Sequence, residues 1–298
     1  SYEGAKKMIM NPDHKWMRYV NRLLDETDPH VAKMTALNLG YQAAFAGTKK
    51  IRKMREIEQC NIPWLILMDP TSACNLHCTG CWAAEYGHKL NLSYDELDSI
   101  ITQGKELGVY LYMFTGGEPL VRKKDLIRLC EKHNDCAFLS FTNGTLVDEA
   151  FCADMKRVGN LYLAISLEGF SEVNDLRRGE GVFGKVMHAM DLLKENGLIF
   201  GTSICYTSKN YKSVTSDEFV DLMVEKGCRY ALYFHYMPVG NDASVELLPN
   251  PQERLYIKDR VREIRNMSTG KGIFTMDFQN DGEFVGGCIA GGRNYFHI

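Results

Sequence analysis

Three cysteines lie within eight residues of one another, at Cys74, Cys78 and Cys81, and follow an apolar, strand-like run over residues 63–68. Three thiolates on one short loop can ligate three irons of a [4Fe–4S] cluster and leave the fourth iron without a protein ligand. Zinc is the alternative, but a structural zinc takes four ligands, usually as two separated pairs, and His77 is the only imidazole in this run. The spacing therefore favours an iron–sulfur site with one open iron, and leaves a zinc site or a chance grouping as alternatives.

A second group of residues suited to ligand binding follows the next apolar run, at Gly116, Gly117, Glu118 and Pro119. Two glycines allow the backbone to approach a ligand closely, and the glutamate adds a carboxylate at the same place. Together they could hold an ammonium group. A Gly-Gly-Glu-Pro turn alone indicates only a loop after a strand. Its position, one strand after the cysteine loop, favours a role in binding.

The elements that must position these residues repeat from Pro63 onward as an apolar run, a turn and a helical pattern. Strands that alternate with helices of about 10–15 residues indicate parallel βαβ units, here a curved sheet or partial barrel with helices outside. Ser93 with Glu96 predicts a capping box, and Gly108 predicts a helix end. Strands are predicted over 63–69, 109–114, 136–142, 161–167, 199–206 and 229–236, and helices near 93–107, 123–133, 148–158, 182–196, 215–226 and 250–267.

The first sixty residues predict a different kind of surface. They carry eleven Lys and Arg against seven Asp and Glu, although the whole chain has a formal charge of −3. Val31, Met34, Leu37, Tyr41 and Phe45 recur at helical spacing, and five cations follow within residues 49–55. This pattern predicts an amphipathic helical segment packed on the domain that follows. The alternative is a patch for a membrane surface or an anionic substrate.

Composition excludes several classes of protein. A net charge of −3 over 298 residues excludes a chain that binds nucleic acid through its overall charge. No stretch approaches the ~20 apolar residues of a membrane span. Ten cysteines without an apparent signal peptide indicate a reducing compartment, so we expect a cytoplasmic protein that is sensitive to oxygen.

Polar or small residues, often with glycine, follow every predicted strand. Ligands of parallel α/β sheets bind at the carboxyl ends of the strands, so these turns are candidate contacts. Beyond the two turns described above, they cover residues 142–144, 166–169, 206–210 and 237–241. The pattern predicts one ligand site along one edge of the sheet.

The CxxxCxxC motif after the first strand and Gly-Gly-Glu-Pro after the second resemble the radical S-adenosylmethionine superfamily, over roughly residues 60–240. The resemblance implies a partial (β/α)6 barrel. It also implies that Cys74, Cys78 and Cys81 bind a [4Fe–4S] cluster, whose open iron is chelated by the amino and carboxylate groups of S-adenosylmethionine. One electron from the cluster then yields methionine and a 5′-deoxyadenosyl radical, which abstracts hydrogen from a substrate.

The resemblance also implies which residues contact S-adenosylmethionine. The Gly-Gly-Glu turn matches the one that receives the methionine ammonium, and Ser166 resembles a serine near the ribose. Arg178 is predicted to pair with the methionine carboxylate, a task suited to a bidentate guanidinium. Glu168 replaces an aspartate of the family pattern, and Gly80 replaces an aromatic residue, so Trp82 is the candidate to cover the adenine. The predicted contacts are Gly116, Gly117, Glu118, Pro119, Thr142, Asn143, Ser166, Glu168, Arg178 and Trp82.

Cys288 indicates the branch of the superfamily. Residues 286–293 resemble the opening of the SPASM or Twitch extension, which carries an auxiliary [4Fe–4S] cluster, and the remaining ligands of that cluster would lie beyond Ile298. The sequence is therefore expected to end inside this extension. The predicted domains are an N-terminal helical segment over 1–60, the barrel over 61–240, and a helix with the start of the extension over 241–298.

The remaining cysteines and histidines show no metal-binding spacing. The cysteines within or beside predicted strands and helices are expected to be small buried hydrophobes, namely Cys130, Cys136, Cys152, Cys205 and Cys228. His235, Tyr233 and Tyr236 on the sixth strand could face the cavity and meet a substrate, but packing within the strand is the favoured interpretation.

The sequence predicts a radical S-adenosylmethionine enzyme that acts on a peptide or protein, because its fourth-strand and Arg-Gly segments resemble peptide-modifying members. The alternative is the same chemistry on a lipid or isoprenoid at the membrane surface, which the basic N-terminal segment favours. A third reading is an iron–sulfur electron carrier or zinc-binding module without catalysis. Expected partners are an electron donor such as flavodoxin or ferredoxin and the substrate, with no nucleic acid and with peripheral membrane contact through residues 1–60.

Overall fold

The structure, a computed structural model, describes residues 6–7, 10–83, 87, 89–240, 242–266 and 272–298. It contains one sheet of eight strands in the order β7-β6-β5-β4-β3-β2-β1-β8, with every neighbouring pair parallel. The predicted α/β class and all six predicted strands are confirmed. The strands are β1 (Leu65–Thr71), β2 (Leu111–Gly116), β3 (Ala137–Thr142), β4 (Leu161–Ser166), β5 (Phe200–Tyr206), β6 (Tyr230–His235), β7 (Phe274–Asp277) and β8 (Tyr295–His297).

Helices alternate with the strands as predicted, and the capping box of Ser93 and Glu96 and the left-handed Gly108, at φ 99°, bound the first of the barrel helices. No helix in the described ranges is long and apolar enough to cross a membrane. Met267, Asn241 and His88 lie outside the described residues. The α-helices are α1 (Lys15–Asp25), α2 (Pro29–Thr35), α3 (Thr48–Glu58), α4 (Tyr94–Leu107), α5 (Lys123–Lys132), α6 (Glu149–Val158), α7 (Ser171–Arg178), α8 (Val182–Glu195), α9 (Asp217–Glu225) and α10 (Pro251–Arg265), with a π-helix (Ala36–Gly47) between α2 and α3.

The sheet curls so that one face packs under helices and the other lines an interior. On the inner face the ring of Phe141 on β3 contacts that of Phe234 on β6, with centroids 6.1 Å apart, although β4 and β5 lie between these strands. The rings of Phe278, just after β7, and Tyr295, on β8, are 6.5 Å apart. Because β7 and β8 are the two edge strands, this contact brings the edges of the sheet towards each other.

Two strands were not predicted, β7 and β8, and they extend the expected six-stranded barrel to eight. They are four and three residues long, so neither is long enough to produce a recognisable alternation of apolar and polar residues. β8 pairs in parallel with β1, with Tyr295 opposite Leu65 and His297 opposite Leu67. The segment predicted to begin an extension therefore adds a strand to the barrel.

The N-terminal helices run along the amino-terminal edge of the sheet. The Asp28 amide donates to the carbonyl of Gly197, which precedes β5, at 2.9 Å. The buried Asn38 side chain donates to the carbonyls of Asn134 and Cys136, before β3, and the Tyr19 hydroxyl donates to Arg229, before β6. This segment therefore covers the end of the barrel opposite to the carboxyl ends of the strands.

The apolar stripe predicted for this segment does not face the core along its whole length. Val31 is buried, but Leu37, Tyr41 and Phe45 are 46%, 56% and 67% exposed. They lie in the π-helix, whose buried residues Asn38, Ala43 and Gly47 recur every four to five positions. A π-helix has more residues per turn than an α-helix, so a stripe drawn at α-helical spacing rotates away from the core.

Candidate functional site

The cysteine loop leaves the carboxyl end of β1 and packs directly on the turn that follows β2. The Gly117 amide donates to the Thr71 carbonyl at 2.9 Å, and the Glu118 amide donates to the Ala73 carbonyl at 2.8 Å. A Cβ atom on Gly117 would overlap the Ala73 carbonyl oxygen and lie 2.5 Å from that of Ser72. Only glycine allows this approach, so the Gly-Gly turn and the cysteine loop form one unit.

Glu118 is buried, and its carboxylate is satisfied by the protein itself. One oxygen accepts hydrogen bonds from the Leu120 amide (2.9 Å) and the Thr142 hydroxyl (2.7 Å), and the other accepts from the Asn143 amide (2.7 Å). Burial raises the pKa of Glu118 against the effect of these donors. In the structure Glu118, with Pro119 beginning a short 3-10 turn, joins the ends of β2 and β3 and holds the Gly-Gly backbone in place. Its contact with an ammonium group stays a prediction.

Nitrogen donors lie beside two of the thiols of the cysteine loop, those of Cys74 and Cys78. Cys74 Sγ accepts from the Leu76 amide at 3.4 Å and lies 4.0 Å from Nδ2 of Asn143, while Cys78 Sγ lies 3.9 Å from Nη1 of Arg178. Burial raises the pKa of Cys74, and the neighbouring thiols at Cys78 and Cys81 raise it further. The three thiols are thus close enough to interact electrostatically.

These residues fit an iron–sulfur cluster better than a single zinc ion. Across the ranges that the structure describes, no three His, Cys, Asp or Glu side chains converge to hold one metal ion. A [4Fe–4S] cluster does not need that convergence, because each thiolate binds a different iron. N–H groups directed at two of the sulfurs, one of them from a buried cation, suit the negative charge of such a cluster.

Glu168 is fully buried and binds two consecutive arginines. Its Oε1 accepts from Nη1 of Arg177 at 2.6 Å, from Nε of Arg178 at 3.0 Å, and from Nη2 of Arg178, and its Oε2 accepts from the Cys205 amide at 3.1 Å. The longer side chain of glutamate, which replaces the expected aspartate, reaches both guanidinium groups. Arg178 was predicted to pair with a carboxylate of the cofactor, and in the structure its Nε and Nη2 already bind a carboxylate of the protein.

Arg177, which sequence reasoning did not single out, ties the cysteine loop to α7. Its Nε donates to the Thr79 carbonyl at 3.2 Å, and the Thr79 amide donates to the Arg177 carbonyl at 3.0 Å. Thr79 lies between Cys78 and Cys81. The only signal in the sequence was the pair of adjacent arginines after the fourth strand.

Gly80 takes the place of the aromatic residue expected before the third cysteine, and Tyr236 supplies an aromatic ring there. Gly80 has φ +66°, and a Cβ atom on it would lie 2.6 Å from the Tyr236 ring. Tyr236 is buried and follows β6, and its hydroxyl accepts from the Ser244 amide at 3.0 Å. A Cβ atom on Gly240 would also overlap the Cys81 carbonyl oxygen, so the loops after β1 and β6 pack together.

The other predicted contacts occupy the same edge of the sheet. Ser166 is half-buried at the end of β4. Trp82 is 40% exposed, and its ring meets that of His297 on β8 edge to face, with centroids 6.4 Å apart. His297 also binds Asp69, at the end of β1, at 2.7 Å. Asp69 lines a cavity of about 290 Å³ beside Gly116 and Gly117, together with Ser72, Leu90, Asn91 and Leu92.

Cys288 is exposed, and its carbonyl accepts from Nη1 of Arg293 at 3.0 Å. Its role as a ligand of an auxiliary cluster stays a prediction. Cys130, Cys136, Cys152 and Cys228 are buried, which confirms the expectation for these four, whereas Cys205, near the end of β5, is only half-buried.

Comparison with known proteins agrees with this geometry. The chain is 26% identical over 231 residues to the Fe-coproporphyrin III synthase of Methanosarcina barkeri, covering 74% of this chain and 57% of that protein. It is 27% identical over 238 residues to the mycofactocin maturase MftC of Mycolicibacterium smegmatis, covering 77% of this chain and 58% of MftC. The chain thus spans little more than half the length of these curated relatives.

The fold also matches a solved structure, that of Streptococcus suis SuiB bound to S-adenosylmethionine. The TM-score is 0.66 at 16% sequence identity, and the match covers 80% of this chain and 56% of SuiB. Residues 68–229, more than half of the chain, match the Radical SAM superfamily. The chain belongs to the Radical SAM superfamily, whose members use a [4Fe–4S] cluster and S-adenosylmethionine.

Proposed function

We propose that Cys74, Cys78 and Cys81 hold the cluster and that the chain abstracts hydrogen from a peptide or protein substrate. The observation that supports the site most directly is the meeting of three elements at one edge of the sheet: the cysteine loop, the Gly116-Gly117 turn packed on it, and Arg178 beside Cys78. When bound, the cluster and S-adenosylmethionine supply a 5′-deoxyadenosyl radical.

The residues of the chain would bind and orient the cofactor. The backbone of Gly116 and Gly117 borders the cavity and is the proposed acceptor for the methionine ammonium. Nη1 of Arg178 carries two N–H groups, so one can face the Cys78 thiolate while the other remains for the methionine carboxylate. Ser166 is the proposed ribose contact. Trp82 is proposed to cover the adenine from the β1 side of the barrel.

A peptide or protein substrate is the class we favour. The Ser-Leu-Glu-Gly and Arg-Gly segments resemble those of peptide-modifying members, and one relative is named as a mycofactocin maturase. We place the chain in the SPASM/Twitch branch on the same resemblance, with Cys288 as the first ligand of an auxiliary cluster. An electron donor such as flavodoxin or ferredoxin would reduce the radical-generating cluster.

A tetrapyrrole is the second candidate substrate. The interior of the barrel carries a row of rings in contact, from Phe141 through Phe234 and Phe278 to Tyr295, with centroids 5.3–6.5 Å apart. Such a surface suits a large, planar, apolar molecule. A relative named as an Fe-coproporphyrin III synthase supports the same candidate.

A lipid substrate has less support than a peptide, because the basic segment lies far from the cysteine loop. Leu37, Tyr41 and Phe45, with the cations within 49–55, form an exposed face suited to anionic lipid. The segment that carries this face covers the amino ends of the strands, whereas the cysteine loop lies at their carboxyl ends. Sedimentation with phosphatidylglycerol or phosphatidylcholine vesicles, comparing intact protein with Phe45→Ser, tests the contact. Equal, negligible binding by both proteins would exclude the membrane contact.

The substrate class is tested by isotope transfer. The reconstituted protein is incubated anaerobically with dithionite and S-adenosylmethionine and with one of three deuterated probes: a peptide library, coproporphyrin III or an isoprenoid lipid. We expect deuterium in 5′-deoxyadenosine with the peptide library alone. Transfer from the porphyrin would support the second candidate, and transfer from the lipid would contradict the substrate class proposed here.

A further inference from the structure

A buried group of three charged side chains lies behind the cysteine loop and consists of Glu168, Arg177 and Arg178. We refer to it as the arginine–glutamate group. The side chains are 1%, 15% and 11% exposed. All three arginine nitrogens that contact Glu168 bind the same oxygen, Oε1, so one carboxylate fixes the orientation of both guanidinium planes.

The two arginines contact different parts of the cysteine loop. Arg177 binds the backbone of Thr79 on both its N–H and its carbonyl, and so fixes the path of the loop. Arg178 binds no backbone of the loop, but directs Nη1 at Cys78 Sγ, at 3.9 Å. The group therefore combines a mechanical contact with an electrostatic one.

A charge at this position would shift the reduction potential of a cluster bound to the cysteine loop. Reduction of a cluster adds one negative charge to it, so a cation held nearby stabilises the reduced form and a carboxylate destabilises it. The effect is strong where the charges are buried, because water does not screen them. Glu118 also lies within electrostatic reach of Arg178, but protein amides and a hydroxyl satisfy its carboxylate.

We propose that Glu168 is a positioning residue that holds Arg178 against Cys78 and that Arg178 sets the reduction potential of the cluster. Arg177 has the separate role of holding the loop, and hence of retaining the cluster. This inference rests on the proposed cluster at Cys74, Cys78 and Cys81. It does not depend on the identity of the substrate.

The test is an anaerobic redox titration of the reconstituted protein, followed by electron paramagnetic resonance without S-adenosylmethionine or substrate. We expect Arg178→Gln to lower the potential, because a cation is removed, and Glu168→Gln to raise it, because an anion is removed while one acceptor oxygen remains. Arg178→Lys, which keeps the charge, should remain closer to the unmodified protein than Arg178→Gln. Arg128→Gln, the same change at an exposed site, is the control and should not shift the potential.

The role of Arg177 is tested by release of iron to a chelator. Loss of a side chain that orients metal ligands weakens metal binding by about 10–100-fold, so Arg177→Gln should release iron about tenfold faster or more. Its effect on the potential should be smaller than that of Arg178→Gln. Equal release rates for Arg177→Gln and the unmodified protein would overturn this part of the proposal.

If the arginine–glutamate group were only structural, Arg178→Gln and Glu168→Gln would not shift the reduction potential in opposite directions. Shifts of the same direction for Arg178→Gln and Glu168→Gln, or no shift in either, would overturn the tuning role of Arg178. Should Glu168→Gln fail to retain a cluster, the comparison of Arg178→Gln with Arg178→Lys decides: equal potentials would contradict the proposal. Absence of iron from the unmodified protein would instead overturn the cluster itself.

Discussion

The ring of Tyr236 occupies the space that a side chain at position 80 would need, since a Cβ atom on Gly80 lies 2.6 Å from it. An aromatic residue from the loop after β6 therefore stands against the cysteine loop, where the family pattern has an aromatic residue within the loop itself. Gly80 has φ +66° and lies directly before Cys81. Gly80 and Tyr236 together therefore fix the path of the backbone between Cys78 and Cys81.

Gly80→Ala should destabilise the cysteine loop. An L-residue at positive φ costs about 1–2 kcal/mol, and the overlap with the buried Tyr236 ring adds a further cost of about 1 kcal/mol or more. Gly87→Ala is the matched control, because Gly87 has φ +68° but no atom within 4 Å of its Cβ position. The free energy of unfolding and the iron content per chain should both fall further for Gly80→Ala. Equal losses would mean that the contact with Tyr236 has no effect.

Gly117→Ala should separate the Gly-Gly turn from the cysteine loop. The new methyl group would meet the backbone carbonyls of Ser72 and Ala73, which cannot rotate away, so a loss of about 1–3 kcal/mol in the free energy of unfolding is expected. Gly184→Ala, within α8 and with open space around its Cβ position, should instead stabilise the protein by about 0.5–1 kcal/mol. Chemical denaturation measures both variants. A neutral Gly117→Ala would contradict the described packing.

His133 should make the stability of the barrel depend on pH below neutrality. Burial lowers the pKa of His133, although its hydrogen bond to Asp98, at 2.9 Å, opposes the shift, as does nearby Asp135, while Lys105 adds to it. The unfolded chain, with a histidine pKa of about 6.5, therefore binds a proton before the folded protein does. The free energy of unfolding should fall as the pH decreases from 7.5 through 6.5 towards the folded pKa.

His133→Gln tests this origin of the pH dependence. Glutamine can retain a donor near Asp98 and does not titrate, so denaturation curves at pH 7.5 and 5.5 should differ less for this variant than for the unmodified protein. His188→Gln, at an exposed position, should keep the original pH dependence. The same slope in His133→Gln would assign the effect to another group.

Asn38 should contribute to the free energy of unfolding and not to the production of 5′-deoxyadenosine. Its buried side chain donates to the carbonyls of Asn134 (2.8 Å) and Cys136 (3.1 Å), so Asn38→Ala removes two hydrogen bonds at a cost of about 1–3 kcal/mol, although Asn160 still donates to the Cys136 carbonyl. Leu37→Ala, at an exposed position, should change the free energy of unfolding by about 0.5 kcal/mol or less. Production of 5′-deoxyadenosine per iron should be unchanged in both. A selective loss of that activity in Asn38→Ala would show that the N-terminal helices affect the site.

Much of the fold could be predicted because the signals for each strand and helix of the barrel lie within that element or next to it in the sequence. Leu161–Ser166, for example, is a continuous apolar run between two turns, and Ser93 with Glu96 begins a helix through a local capping box. The π-helix could not be predicted, because its buried positions Asn38, Ala43 and Gly47 follow no α-helical spacing. β7 and β8 are too short to show a period.

The sequence indicates which residues belong to the candidate site, but it does not indicate the contacts between them. The motif spacing identified the cysteines and the Gly-Gly turn, since these are local in sequence. The contacts of Glu168 with Arg177 and Arg178, and of Tyr236 with Gly80, depend on loops that are brought together only by the curl of the sheet. The hydrogen bonds of Glu118 with Thr142 and Asn143 likewise join segments that are distant in the sequence.

The most direct test of the central claim is the release of 5′-deoxyadenosine by anaerobically reconstituted protein in the presence of dithionite and S-adenosylmethionine. We predict that the unmodified protein and Cys60→Ala, changed at an exposed cysteine outside the loop, release it, and that Cys78→Ala does not. Release by Cys78→Ala, or a protein that binds zinc in place of iron and releases none, would contradict the account.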